Sequence, residues 1–313
     1  MRSQFRRVFP QGHVVLPVVH VTSAEQALRN TAVAREAGAD GVFLINQAMG
    51  TGELLAVHSR VAAAHPAWWL GVTCLDLDPI EAVQEVASAP APVAGLWTDI
   101  TMVRESEEEQ TASQAVLDEI VATAWPGLYF GGVTVKYQRP VDDLGAAAYI
   151  AGRYMDVVTT SGPGTGQPAK VHKIRAMKEA LGELPPAIAS GVTPDNVADN
   201  LPVSDCYLVA TGASDSFEEL NAGRVRRLVE TVRAWDAGRA DGHERRERPR
   251  HAETQPPGER RRPAIRAALE RLPQEACRPG HQRRPAKVHP PLPASGPRCQ
   301  RVRSSALRRA QPR

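Results

Sequence analysis

The sequence predicts a closed ring of eight parallel strands wrapped by helices, a (β/α)8 TIM barrel, followed by a basic, disordered C-terminal tail. Three observations carry this reading. Short apolar, β-branched runs alternate with amphipathic stretches through residues 1–237. Such alternation implies a parallel sheet covered by helices, and eight units in about 235 residues match a closed barrel. Beyond Ala237 the periodicity stops and the composition turns to Arg and Pro.

The expected strands are VVLPVVHV from Val14, GVFLIN from Gly41, WWLGVTCL from Trp68 and VAGLWTDI from Val93. They continue with LYFGGVTVK from Leu128, MDVVTTSG from Met155, PAIASG from Pro186 and DCYLVATG from Asp205. Helix-like segments separate them: 23–37, 52–64, 78–88, 111–124, 142–153, 169–181, a short one after Pro194, and 215–235. Ser23 with Gln26 has the spacing of a capping box. Asp78 before Pro79 and Thr193 before Pro194 suit an N-cap followed by proline at the first helical position. Gly38 reads as a helix stop.

Composition bounds the function. Of 313 residues, 42% are hydrophobic, which suits a packed core. No apolar run reaches the roughly 20 residues that span a bilayer. The arginines before the first apolar run resemble a signal peptide, but His13, Pro17 and His20 interrupt that run, so it reads as a strand and a cytoplasmic location is expected. Residues 238–313 carry 19 Arg and 1 Lys against 7 acidic residues, a net +13 within a whole-chain total of +3. The body, 1–237, is therefore acidic at −10. A nucleic-acid-binding fold would put its positive charge on the folded part, so no nucleic acid is expected there. The tail, a segment of its own from 238 to 313 with 12 prolines, has too little apolar surface to offset the entropy of ordering. It reads as a solvated, even out-of-frame, extension in preference to an anion-binding arm.

The four cysteines have neither CxxC nor zinc-type spacing. Cys74 and Cys206, inside apolar runs, read as small buried hydrophobes. No compact ligand motif supports a metal, and no cofactor is expected.

In this architecture the chemistry sits at the carboxyl ends of the strands. Three glycine-bearing turns fall there: SGPGTG with Gly164, Thr165 and Gly166, then Ser190-Gly191, then Thr211-Gly212. Glycine lets backbone approach an anion closely, and hydroxyls on Thr165, Ser190 and Thr211 would add bonds to phosphate oxygens. Glycines needed only for tight turns are the competing explanation. GPGTGQ lacks the GxGxxG spacing and the following acid of a dinucleotide site. The other strand ends offer His20, Asn46, Asp76, Asp99 and Lys136. Lys136 suits a point charge for phosphate, a polarising group or a Schiff-base nucleophile. Asp99 or Asp76 suits acid–base work, and His20 suits proton transfer near neutrality. Asn46 would orient substrate or tie a loop. Asp78 reads as a helix cap.

VTVKYQRP around Lys136, DVVTTSGPGTGQPAKVHKIRAMKEA from Asp156, ASGVTPDNVADNL from Ala189 and DCYLVATGAS from Asp205 together resemble the BtpA/SgcQ family of TIM barrels. VVHV, ADGVFLIN and LGVTCLDLD match more loosely, so the likeness spans about residues 10–235. Two departures mark a divergent member: VTSAEQ enters a helix directly, and RESEEEQ replaces a glycine-containing loop after Asp99. The resemblance implies a barrel linked to photosystem biogenesis or to nucleosidase-like and sugar chemistry. It leaves two functions open. One is an enzyme acting on a sugar phosphate or phosphoribosyl compound by lyase, isomerase or nucleosidase-type chemistry. The other is a non-catalytic assembly factor that keeps an anion site. The homo-oligomeric state is open as well.

Overall fold

The computed structural model describes residues 4–10, 12–47, 49–101, 103, 105–106, 110–135 and 141–246. The region proposed as a tail, apart from the end of its preceding helix, lies outside these residues. Eight parallel strands close into a barrel in sequence order, with the first strand paired to both the second and the eighth. They are β1 (Val14–Val21), β2 (Gly41–Asn46), β3 (Trp69–Thr73) and β4 (Gly95–Thr98). The ring continues with β5 (Leu128–Gly132), β6 (Val157–Thr160), β7 (Pro186–Ile188) and β8 (Cys206–Val209).

The helices are α1 (Gln4–Val8), α2 (Ala24–Glu36), α3 (Thr51–Ala64), α4 (Pro79–Ala87) and α5 (Thr111–Thr123). Then come α6 (Leu144–Ala151), α7 (Val171–Leu181), α8 (Val197–Asn200) and α9 (Ala222–Arg246). Asp78 caps α4 as expected: its carboxylate accepts from the Ile80 and Glu81 amides while Glu81 reaches back to the Asp78 amide. Ser23 accepts from the Gln26 amide, but the Gln26 carboxamide turns elsewhere.

Three features depart from the sequence reading. Phe5 and Phe9, one helical turn apart, bury themselves and close the amino end of the barrel, with Phe9 5.5 Å from Trp69. That makes a helix of residues 4–8, where the sequence suggested only the approach to a strand. The fifth strand ends at Gly132 because Thr134 takes a left-handed conformation (φ 51°). Lys136 is thus four positions past the strand and lies outside the described residues. The last helix begins at Ala222 instead of Asp215, because Ser214 pairs with Leu220 and closes a loop ahead of it.

The barrel interior is aromatic. Phe43 meets Trp69, Trp97 and Phe130 edge-on at 5.1, 5.8 and 5.1 Å between ring centres. Neighbouring strands make room with glycine. A Cβ at Gly95 would lie 2.3 Å from the Trp69 indole, and one at Gly71 would lie 2.4 Å from the Phe43 ring. Leu16, Val157, Ala187 and Leu208 fill the rest, and a second apolar layer lies between strands and helices.

Charges fasten the amino end. Asp205 binds Arg6 at 2.6 Å and also Lys178, and Arg233 holds Asp40 at 2.6 Å. Asp40 and Asp156 accept the backbone amides of Val15 and Tyr129 in the preceding strands. Between α3 and the sheet, His58 is fully buried. Burial pushes its imidazole down to about 4, with the Leu70 backbone offsetting only part of the effect.

Two outcomes follow from this packing. Gly95→Ala should lower unfolding free energy by about 1–3 kcal/mol through overpacking. In urea denaturation the double variant with Trp69→Leu should lose less than the two singles summed. The unfolded chain protonates His58 near pH 6.5 and the folded protein only near 4. Stability should therefore fall as pH drops from 6.5 to 4, by at most about 1.4 kcal/mol per pH unit from this group. His58→Leu should flatten that fall; parallel curves for both proteins would refute the buried neutral imidazole.

Candidate active site at the carboxyl end of the barrel

A cavity of about 390 Å³ opens over the carboxyl ends of the strands, within the roughly 300–1,000 Å³ range of small-molecule sites. Strand phase decides what reaches it. On β1, His20 continues the inward series Leu16, Val18; on β4 and its exit, Asp99 continues the inward Trp97. Both line the cavity, and they are its titratable side chains among the described residues.

One wall is polar: Thr165, Ser190, Gly191, Thr211 and Gly212 come from the exits of β6, β7 and β8. These three turns are packed into one another. Gly166 (φ 73°) donates its amide to Ser190 Oγ at 3.2 Å. A Cβ at Gly212 would lie 1.8 Å from the Val192 carbonyl oxygen, and one at Gly191 (φ 72°) 2.3 Å from the Gln167 backbone. Glycine at 191 and 212 is thus imposed by the way the turns pack, and that packing shapes the wall. Gly164 and Gly166 belong to the same turn as Thr165 but stand behind the lining.

Ile45, Leu75 and Trp97, from β2, the β3 exit and β4, give the cavity an apolar wall, and Phe217 adds a further apolar ring. Phe217 comes from the loop between β8 and α9, and its ring stacks on His20 with centres 3.8 Å apart and planes at 25°.

Asn46 and Asp76 are brought together, but away from the cavity lining. Asn46 Nδ2 donates to Asp76 Oδ1 at 2.6 Å and its Oδ1 accepts from the Leu75 amide. Asp76 also accepts from the Thr51 amide and hydroxyl at the start of α3. Partial desolvation raises its pKa, but the bonds from Thr51 and Asn46 outweigh that and hold the carboxylate below its ordinary value. The pair ties the exits of β2 and β3 to α3.

Sequence reasoning passed over four residues. Gln47 and Leu75 line the cavity where Asn46 and Asp76 were expected. Counting alternate positions from Phe43 and from Trp69 would have found them. Phe217 falls in the segment 215–235 that the periodicity predicts as helix, whereas the helix starts at Ala222. Lys173, half-buried on α7, donates from Nζ to the Thr134 and Ser161 carbonyls, both at 3.1 Å. It pins the exit of β5 to that of β6, and burial lowers its pKa.

Gly132 sets Asp99 in place. A Cβ there would meet the Asp99 carbonyl at 2.3 Å, and Thr101 Oγ1 donates to the Gly132 carbonyl at 2.9 Å. Cys74 and Cys206 are buried free thiols whose pKa values burial raises, that of Cys74 to about 11. They serve as apolar filling. Among the described residues no group of His, Cys, Asp or Glu is arranged to hold a metal, and no helix is long and apolar enough to cross a membrane.

The fold and its mouth define a TIM barrel with a pocket at the end where such barrels carry their chemistry. Solved structures agree on the fold. Tryptophan synthase from Mycobacterium tuberculosis superposes with a TM-score of 0.55 at 13% identity, over 74% of this chain and 99% of that one. (S)-3-O-geranylgeranylglyceryl phosphate synthase from Thermoplasma acidophilum gives 0.53 at 15% identity, over 75% and 99%. Tryptophan synthase subunit alpha from Legionella pneumophila gives 0.52 at 11% identity, over 75% and 100%. No family model matches the chain, and no curated protein matches it.

The close approach of the last two turns is testable against its neighbour in the SGPGTG loop. Gly212→Ala should cost about 1–3 kcal/mol. Gly164→Ala meets only the flexible Gln167 side chain at 3.1 Å and should stay within about 0.5 kcal/mol. Urea midpoints of the two variants distinguish them.

Proposed function

We propose that this chain is an enzyme that binds a phosphorylated small molecule, a sugar phosphate or phosphoribosyl compound, and moves a proton on it. One observation carries the reading: the exits of three consecutive strands form a wall of hydroxyls and close-packed glycines, and Asp99 and His20 line the same cavity. The Thr165, Ser190 and Thr211 hydroxyls can donate to phosphate oxygens, and the glycines at 191 and 212, by letting the turns pack against one another, hold these hydroxyls along one wall.

Asp99 and His20 are the proposed proton-transfer groups, acting through a carboxylate oxygen and an imidazole nitrogen. Lys136 is proposed to supply the positive charge that polarises the reacting oxygen. Asn46 and Asp76 are proposed to hold the pocket's shape through their mutual bond and α3. The chemistry on offer is isomerase, lyase or nucleosidase-type. The neighbouring geranylgeranylglyceryl phosphate synthase, solved with its substrate sn-glycerol-1-phosphate, lends the phosphate reading support. The resemblance to BtpA/SgcQ barrels fits it as well.

A ligand that binds only the folded state raises the melting temperature. Inorganic phosphate and ribose 5-phosphate should both do so, while ribose alone should not. At 100 times Kd the gain is about 2.7 kcal/mol, or roughly 5–10 °C for a domain of this size. Ser190→Ala should reduce the shift. If no phosphorylated compound moves the melting curve, the pocket is not a phosphate site.

A further inference from the structure

Phe217 is 49% exposed, a large apolar ring held at the mouth of a cavity where water wets it. Its loop is not loosely hung. Gln26 and Asn30 on α2, only 4% and 1% exposed, both donate a side-chain N–H to the Glu218 carbonyl, at 2.6 and 3.0 Å. Asn30 Oδ1 accepts from the Leu220 amide at 2.7 Å. Ser216 Oγ accepts from the Glu218 and Glu219 amides, and the Asp215 amide donates to the Glu219 carbonyl. Two buried carboxamides thus anchor the segment that carries the ring. Leu75, also 49% exposed, shares the cavity with it. Exposed apolar surface beside a cavity marks a place where a ligand sits.

We infer that the pocket takes a phosphate ester that also carries an aromatic ring, the planar ring packing against the His20–Phe217 stack and the phosphate against the Ser190–Thr211 wall. This rests on the phosphate reading above and narrows its substrate class. A planar partner is favoured because Phe217 and His20 already lie nearly parallel, with Trp97 also in the lining. Aromatic rings gain from such offset contacts beyond the area they bury. A sugar phosphate without such a ring would leave the apolar wall in water.

Calorimetric titration with inorganic phosphate, ribose 5-phosphate, hexyl phosphate and phenyl phosphate tests this on the full chain. Phenyl phosphate should bind at least about 10-fold more tightly than inorganic phosphate. Phe217→Leu keeps an apolar side chain but loses the ring face, and it should weaken phenyl phosphate by about 5-fold. The same change should leave inorganic phosphate unaltered, and the exposed position keeps the fold intact. Hexyl phosphate matching phenyl phosphate, or a Phe217→Leu protein that binds phenyl phosphate as before, would overturn the aromatic assignment while leaving the phosphate site standing. Failure of all four compounds to bind would overturn both.

Discussion

The packing of Trp69 inside the barrel is the constraint on which the rest depends. An indole this large fits only because Gly41, Gly71 and Gly95 flank it without side chains. Phe43, Trp97 and Phe130 complete the cluster around it. Interiors are packed at crystal-like density, so each ring fixes the distance to its neighbours. Eight strands and their stagger set the radius of the ring; these aromatics fill it, and the same radius sets how far apart His20, Asp99 and the glycine turns stand at the mouth.

Two ends of the same ring therefore divide the labour. At the amino end, Phe5 and Phe9 form an apolar cover, and Asp40 and Asp205 bind arginine and lysine from distant helices. At the carboxyl end the backbone itself is the building material, with turns touching through glycine at 191 and 212. Apolar and ionic fastening at one end and close backbone packing around a cavity at the other are thus separated along the barrel axis.

Much of this was legible in the sequence. β1 and β2 begin and end where their apolar runs do, because runs buried on both faces are bounded by polar or glycine residues. The glycine turns were found at the correct strand exits, since their meaning is local. The mouth was harder to read. Asn46 and Asp76 are polar residues at strand ends, and polarity alone does not say which way a side chain faces. Strand alternation does, and it puts Gln47 and Leu75 inside. Phe217 escaped notice because its place depends on Gln26 and Asn30, about 190 positions away. A contact of that range leaves no trace in local periodicity.

That long-range tie has a consequence for synthesis of the protein. Gln26 and Asn30 emerge early, yet the carbonyl and amide they satisfy, at Glu218 and Leu220, arrive only with the final unit. Until then burying Asn30 leaves its Oδ1 without the Leu220 amide, a cost of about 1–3 kcal/mol, whereas Gln26 already bonds locally to the Thr22 amide and the His20 carbonyl. Through Asn30, α2 thus has reason to stay loosely docked until the last turn is made, so that the seam of the ring and the rim of its pocket set in a single cooperative step.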